Sequence, residues 1–222
     1  MSVAHVNKTP GPLSGWSELP PKIIVMELVE RVFVLALFVH FAVAMLGKAG
    51  GINMASVLII FAETLPILLV LSRGPSETLS LRPSDWLFGI AGSSAPLFAI
   101  QPLGTEPLVP IAIGIVVMFA GIFVQASSKL FLGRSFGVVA ANRGVKVAGP
   151  YRIVRHPIYA GYTITHLGFL LIVPCWQNLL VYSIGLVFQI VRINKEERVL
   201  SEDPAYRELM KTTRYRLLPG VY

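Results

Sequence analysis

The residues with chemistry to offer concentrate in two stretches of the second half of the chain, Gly149 to Tyr162 (GPYRIVRHPIYAGY) and Arg192 to Arg198. The first lies where a basic, glycine-containing loop turns into an apolar run. His156 precedes Pro157, so its backbone is pushed out of the helical region into an extended conformation. Pro157 suits a first helical position, because its missing N–H would have no partner there in any case. The free N–H groups of the first turn, together with the helix dipole, make a receptive end for a carboxylate or phosphate. Tyr151, Tyr159 and Tyr162 add aromatic faces for a flat ring or a cation. Such a helix mouth suits a ligand that carries an anion, a cation and a ring together.

These residues must be positioned by membrane helices. The chain has 222 residues, 54% of them hydrophobic and only 14% charged, with a mean hydropathy of +0.68. That composition is read as an integral, all-α, multi-pass membrane protein. About six apolar segments are expected: Ile23 to Leu46, Ile52 to Leu71, Trp86 to Ile100, Leu108 to Phe131, Pro157 to Val173 and Asn178 to Ile193. Residues 1–22 read as a polar, poorly ordered extension, residues 23–131 as a four-span membrane body, and residues 132–222 as a loop, a helical hairpin and a cytoplasmic tail. Glu27 and Arg31, four apart, suggest a surface ion pair at the interface. Glu63 is an ionisable residue within an apolar run, where a functional site or an internal pair is the default reading. Ser84 and Asp85 are read as a cap for the third helix, and Gly114 and Gly121 as places where helices approach closely.

The last two apolar runs carry a geometric consequence. Pro174 to Gln177 reads as a tight turn midway in sequence between His156 and Glu196. An antiparallel hairpin therefore returns Glu196 and Glu197 to the level of His156 and Pro157. Gln189, Arg192 and Glu196 fall on one polar stripe of the final helix. Either Arg192 and Glu196 form an intrahelical pair only, or that stripe faces the loop.

With the amino terminus inside, Lys48 is the one residue of the nineteen Lys and Arg that falls outside, as the positive-inside rule requires. Both termini are then cytoplasmic, and the short loops are those expected of a bacterial inner-membrane protein. The net charge of +7 is met by anionic lipid headgroups, with no call for a nucleic-acid partner. The single cysteine, Cys175, excludes an intrachain disulfide framework and reads as a packing residue. No histidine shows metal-ligand spacing with acidic residues, so no metal site is expected. His166, on an apolar helix, reads as a packed histidine. A nucleophile elbow, a zinc-protease helix motif, a phosphate-binding loop and a dinucleotide fingerprint are all missing from the sequence.

GPYRIVRHPIYAG, preceded by LGRSF and followed by KEERVL and then AYRELMKTTRYRLLPG, resembles the isoprenylcysteine carboxyl methyltransferase family, which is similar in its carboxy-terminal half to phospholipid methyltransferases. The resemblance covers about Leu130 to Tyr222. It departs from the family pattern at the double glutamate, which is not a longer acidic run, and at Ser201 to Pro204, where a Phe-Gly is usual. What it implies is a multi-pass enzyme that encloses S-adenosylmethionine between the loop, the last two spans and the tail. Carried onto this chain, the cofactor positions are Gly149, Tyr151, Arg155, His156, Tyr159, Gly161, Glu196 and Glu197. Methyl transfer needs neither metal nor covalent intermediate, only alignment and exclusion of water. A lipophilic or small acceptor arriving from the bilayer is expected, with Arg155 or Arg192 positioning a carboxylate or thiolate; an amine and a quinone-like phenol are equally open. Two alternatives stand beside this: an NADPH-dependent membrane reductase using Arg143, Lys146 and Arg152 for the 2′-phosphate, and a non-catalytic membrane scaffold.

Overall fold

A computed structural model describes residues 16–17, 19–46, 64–76, 78–100, 102 and 104–222. Among these the chain is helical, with no strand. The helices are α1 (Pro21–Leu46), α2 (64–72), α3 (Pro83–Ser94), α4 (Ile111–Leu132), α5 (Pro157–Ile172), α6 (Trp176–Leu200) and α7 (Pro204–Thr212). Glu63 and most of the expected second span lie outside the described residues.

Two stretches are long and apolar enough to cross a membrane, Ile111–Ser135 and Trp176–Leu200, while α5 is a shorter apolar helix. Their apolar windows are only 22% and 33% buried, which a core helix of a water-soluble protein could not sustain. Val116, Phe119, Phe123, Leu130, Leu179 and Val187 all stand exposed on them. Large apolar side chains in such numbers match a hydrocarbon surrounding, not water.

Glycine fixes the central helix pair. A Cβ on Gly121 would lie 2.7 Å from Gly161 O, and one on Gly168 would lie 2.9 Å from Gly114 O. The two helices therefore meet backbone to backbone at two levels, as small residues allow. Gly114 and Gly121 behave as the sequence suggests, and Gly161 and Gly168 are their partners. Within the hairpin, α5 packs chiefly on α4, and α6 on α3. Its two arms are thus splayed apart from each other over most of their length, leaving space between them.

Several local expectations are corrected. Glu27 does not form a surface pair with Arg31. It is fully buried and, with Glu30, meets Arg73 and Arg143 in a four-charge cluster with N–O distances of 2.7–3.3 Å. Arg31 instead donates to Arg73 O and stacks over Trp16. The physical reason is supply: two carboxylates one turn apart need two cations, and only distant guanidinia reach both. The third helix begins at Pro83, so Asp85 is not its cap; its carboxylate accepts from Ser80, Ser84 and Lys195. After Ser94 the third segment tightens into a 3-10 turn, Ala95–Phe98. The amino-terminal extension is also not wholly loose, since Leu19 is buried against Ile23, Leu79, Trp86 and Val139. The turn of the hairpin is shorter than expected, with Trp176 already helical. Downstream, Asp203 caps α7 by accepting from Ala205 N.

The four-charge cluster holds the loop over the helices. Glu30 Oε1 accepts from the N–H groups of Val138 and Val139, Arg73 donates to Phe136 O, and Arg143 to Val139 O. Burial and the neighbouring Arg73 charge both push the Arg143 guanidinium below its usual range, while the two glutamates oppose that shift. Removing one partner would leave a charge buried without compensation. Glu30→Gln is therefore expected to destabilise the protein by about 3–5 kcal/mol, read as a lowered Tm in detergent. A Tm within experimental error of the unsubstituted protein would contradict this.

Candidate functional site

Two segments far apart in sequence meet at the start of α5. His156, the residue before the helix, is kept out of the helical region as its proline neighbour demands, but at φ −126° and ψ 59° it is not the extended backbone expected. Arg155 N and His156 N donate to Tyr215 O and Arg216 O of the tail, so the tail closes over the helix mouth. The first turn of α5 is thus partly covered by chain, not left open to a ligand.

Glu197 is the hub of this junction. Its Oε1 accepts from Arg155 Nε at 2.8 Å and from the Tyr206 hydroxyl at 3.2 Å, and lies 3.2 Å from His156 Nε2. Its Oε2 accepts from Arg216 Nε at 2.8 Å. Loop, α6, α7 and tail are tied through one buried carboxylate. Hydrogen bonding to Glu197 raises the Arg216 guanidinium above its usual range. Burial, then the Glu197 charge, raises the Tyr206 phenol, which stays a neutral donor.

Glu196, the adjacent residue, points elsewhere. Its Oε1 accepts from the Tyr159 hydroxyl and from Arg192 Nε, while Oε2 lies 3.8 Å from His156 Nδ1. Glu196 lines a cavity together with Tyr151, His156, Tyr159, Tyr162 and Arg192. The opposite wall is the loop around Val139, Arg143 and Lys146. Burial and the Glu196 charge hold the Tyr151 phenol neutral. Arg192 lies over the Tyr159 ring at 5.2 Å and donates to Ser93 Oγ and Gly137 O. The polar stripe of α6 thus both forms the intrahelical pair and faces the loop.

The site residues read from the sequence divide by position. Tyr151, Arg155, His156, Tyr159, Arg192 and Glu196 line the cavity; Gly149, Gly161 and Glu197 are not among its lining residues. Gly149 takes φ +60° and packs where a Cβ would strike the Phe131 ring, and Gly161 serves the contact with α4. Arg155 has its guanidinium engaged by Glu197, Thr213 O and Arg214 O. His166 is packed face to face on Tyr182. Among the described residues no group of His, Cys, Asp and Glu could hold a metal. Tyr206, Arg216 and the Glu27–Glu30 cluster escaped the sequence reading. Only the separation of two glutamates by one turn offered a signal for the last.

Residues 107–206 match the family described as phospholipid methyltransferase. The match spans 100 of the 222 residues, under half of the chain, and is a likeness to that family. The isoprenylcysteine carboxyl methyltransferase-like group, which the sequence motifs resemble, falls within it. No curated protein matches the chain. The family is one of methyltransferases, and the outward-facing apolar helices fit a membrane protein.

The division of labour between the two glutamates can be measured. Glu197→Gln removes the charge shared by Arg155 and Arg216 and is expected to lower Tm by several degrees, as loss of about 2 kcal/mol or more would. Glu196→Gln, whose carboxylate is less buried and whose amide oxygen can still accept from Tyr159 and Arg192, is expected to lower Tm by clearly less. Equal Tm losses for the two would contradict the assignment.

Proposed function

We propose that this chain is an S-adenosylmethionine-dependent membrane methyltransferase acting on a small or lipophilic acceptor, a carboxylate, thiol, amine or hydroxyl. The observation that carries the reading is Glu196 Oε2, with His156 Nδ1 at 3.8 Å, in a cavity walled by four tyrosines, beside an arginine–tyrosine stack. An α-ammonium fits Glu196, a planar adenine and a positively charged sulfur fit the tyrosine faces, and a carboxylate fits Lys146, which lines the loop side. When bound, the cofactor supplies an electrophilic methyl group on that sulfur.

The remaining work falls to the chain. Tyr159 and Arg192 hold Glu196 in one rotamer, so the ammonium site is preorganised. The tail that pairs with Arg155 and His156 shields the mouth from water. Of the two arginines suggested for acceptor positioning, Arg155 is spent on the Glu197 hub. Arg192, at the inner end of the cavity with a serine hydroxyl as one partner, is the better placed. Six spans with both termini cytoplasmic, and a hairpin enclosing the cofactor, complete the proposal, together with a membrane body over 23–131 and a cofactor unit over 132–222.

The reductase alternative loses support from the same geometry. Arg143 is committed to Glu27 and Glu30, and Arg152 is exposed and absent from the lining. A 2′-phosphate would keep Lys146 alone of the three. Calorimetric titration of protein in nanodiscs with S-adenosylhomocysteine tests the proposal. Saturable binding is expected, weakened about tenfold or more in Glu196→Gln, the loss of one charge-assisted bond. Binding of NADPH in its place, or of neither, would overturn it.

A further inference from the structure

A second cavity, about 240 Å³ against about 110 Å³ for the first, lies in the space left by the splayed hairpin. The two cavities share Ser93, Phe136, Val138 and Tyr162 as walls. Its lining comes from α1 to α6 and the loop and is mainly apolar, with Ser93, Tyr162, Thr165, His166, Tyr182 and two glutamines as its polar members. Among the described residues it contains no Asp, Glu, Lys or Arg.

The two glutamines face each other's helices from α4 and α6. Gln189, only 3% exposed, lines the cavity one turn before Arg192, and its Oε1 is buried without a hydrogen-bond partner. A buried acceptor left empty costs about 1–3 kcal/mol, so the position is costly for the ligand-free protein. Gln125, 4% exposed, lines the cavity from α4. Its orientation is set by chemistry. Lys129 Nζ lies 2.9 Å from it, and an ammonium has only donors, so Gln125 must turn its oxygen to Lys129. The amide NH₂ is thereby left as a donor without a partner among the described residues. Lys129 itself is fully buried and capped by the Tyr162 ring at 5.3 Å. It stands behind Gln125 and is not among the cavity's lining residues, which makes it a positioning residue.

We propose that this inner cavity binds an uncharged, mostly apolar molecule whose hydroxyl head is held between the Gln125 NH₂ and the Gln189 Oε1. On the methyltransferase reading, upon which this assignment rests, that molecule is the acceptor. The head then sits near the wall common to both cavities, facing Tyr162. A hydroxyl both accepts and donates, so it satisfies both glutamines at once. A carboxylate or an ammonium would lose its hydration with no opposite charge in the lining, which apolar surroundings penalise heavily.

The test uses full-length protein in nanodiscs and three probes of matched length: para-octylphenol, para-octylbenzoate and para-octylbenzylammonium. Saturable binding is measured above that of empty nanodiscs, with S-adenosylhomocysteine titrated in parallel. Octylphenol is expected to bind at least about tenfold more tightly than either charged probe. Gln189→Leu is expected to weaken octylphenol about tenfold, to leave S-adenosylhomocysteine binding unchanged, and to raise the Tm of the ligand-free protein. A purely structural Gln189 would give a lower Tm instead, so that result overturns the proposal. Tighter binding of the benzoate also overturns it and would make Lys129 a ligand to an anion. Octylphenol binding that is indifferent to Gln189→Leu overturns it as well. If S-adenosylhomocysteine fails to bind while octylphenol binds through Gln189, the acceptor role falls with the methyltransferase reading and the binding site alone stands.

Discussion

The architecture depends on carboxylates buried where the membrane helices meet the loop. Glu27 and Glu30 enter with α1, and Glu197 with α6; none can remain charged in a dry environment without close cations. That requirement reaches across the chain, drawing Arg73 and Arg143 to the first pair and Arg155 and Arg216 to the last. The loop from Gly133 to Val154 has little regular structure of its own, only two short 3-10 turns. Its shape is set by these anchors, with Gly137 threading where a Cβ would strike both Arg143 and Arg73. A cavity wall built this way is rigid without being a helix or a strand.

The same constraint explains why the two adjacent glutamates differ. Successive residues on a helix point about 100° apart, so Glu197 turns into the junction and Glu196 into the cavity. One carboxylate is consumed by structure, while its neighbour is held in place on the cavity wall. Structure and candidate chemistry are separated by a single step along α6.

Much of this was legible in the sequence, for physical reasons. His156-Pro157 had to open a helix because proline dictates the backbone on both sides. Gly114 and Gly121 had to mark a close helix contact, and the polar stripe of Gln189, Arg192 and Glu196 follows from helical periodicity. What local pattern could not supply was partner choice over long separations. Glu27 and Arg31 fit a surface pair at helical spacing, but a buried carboxylate takes the guanidinium that best satisfies it, wherever it lies in sequence. Gly161 illustrates a further limit: motif and helix-packing roles coincide at one residue, and only coordinates show α4 against it. Gln125 carried no signal at all, because its meaning depends on Lys129 and on an empty space.

The central claim is that the cavity between loop and α6 holds the methyl donor. Hydrogen–deuterium exchange of the nanodisc-embedded protein, with and without S-adenosylhomocysteine, tests it most directly. The account predicts slowed exchange confined to the loop around residues 135–159 and to the carboxy-terminal end of α6 around residues 192–200. Saturating ligand that protects neither region, or protects only segments remote from both, would contradict it.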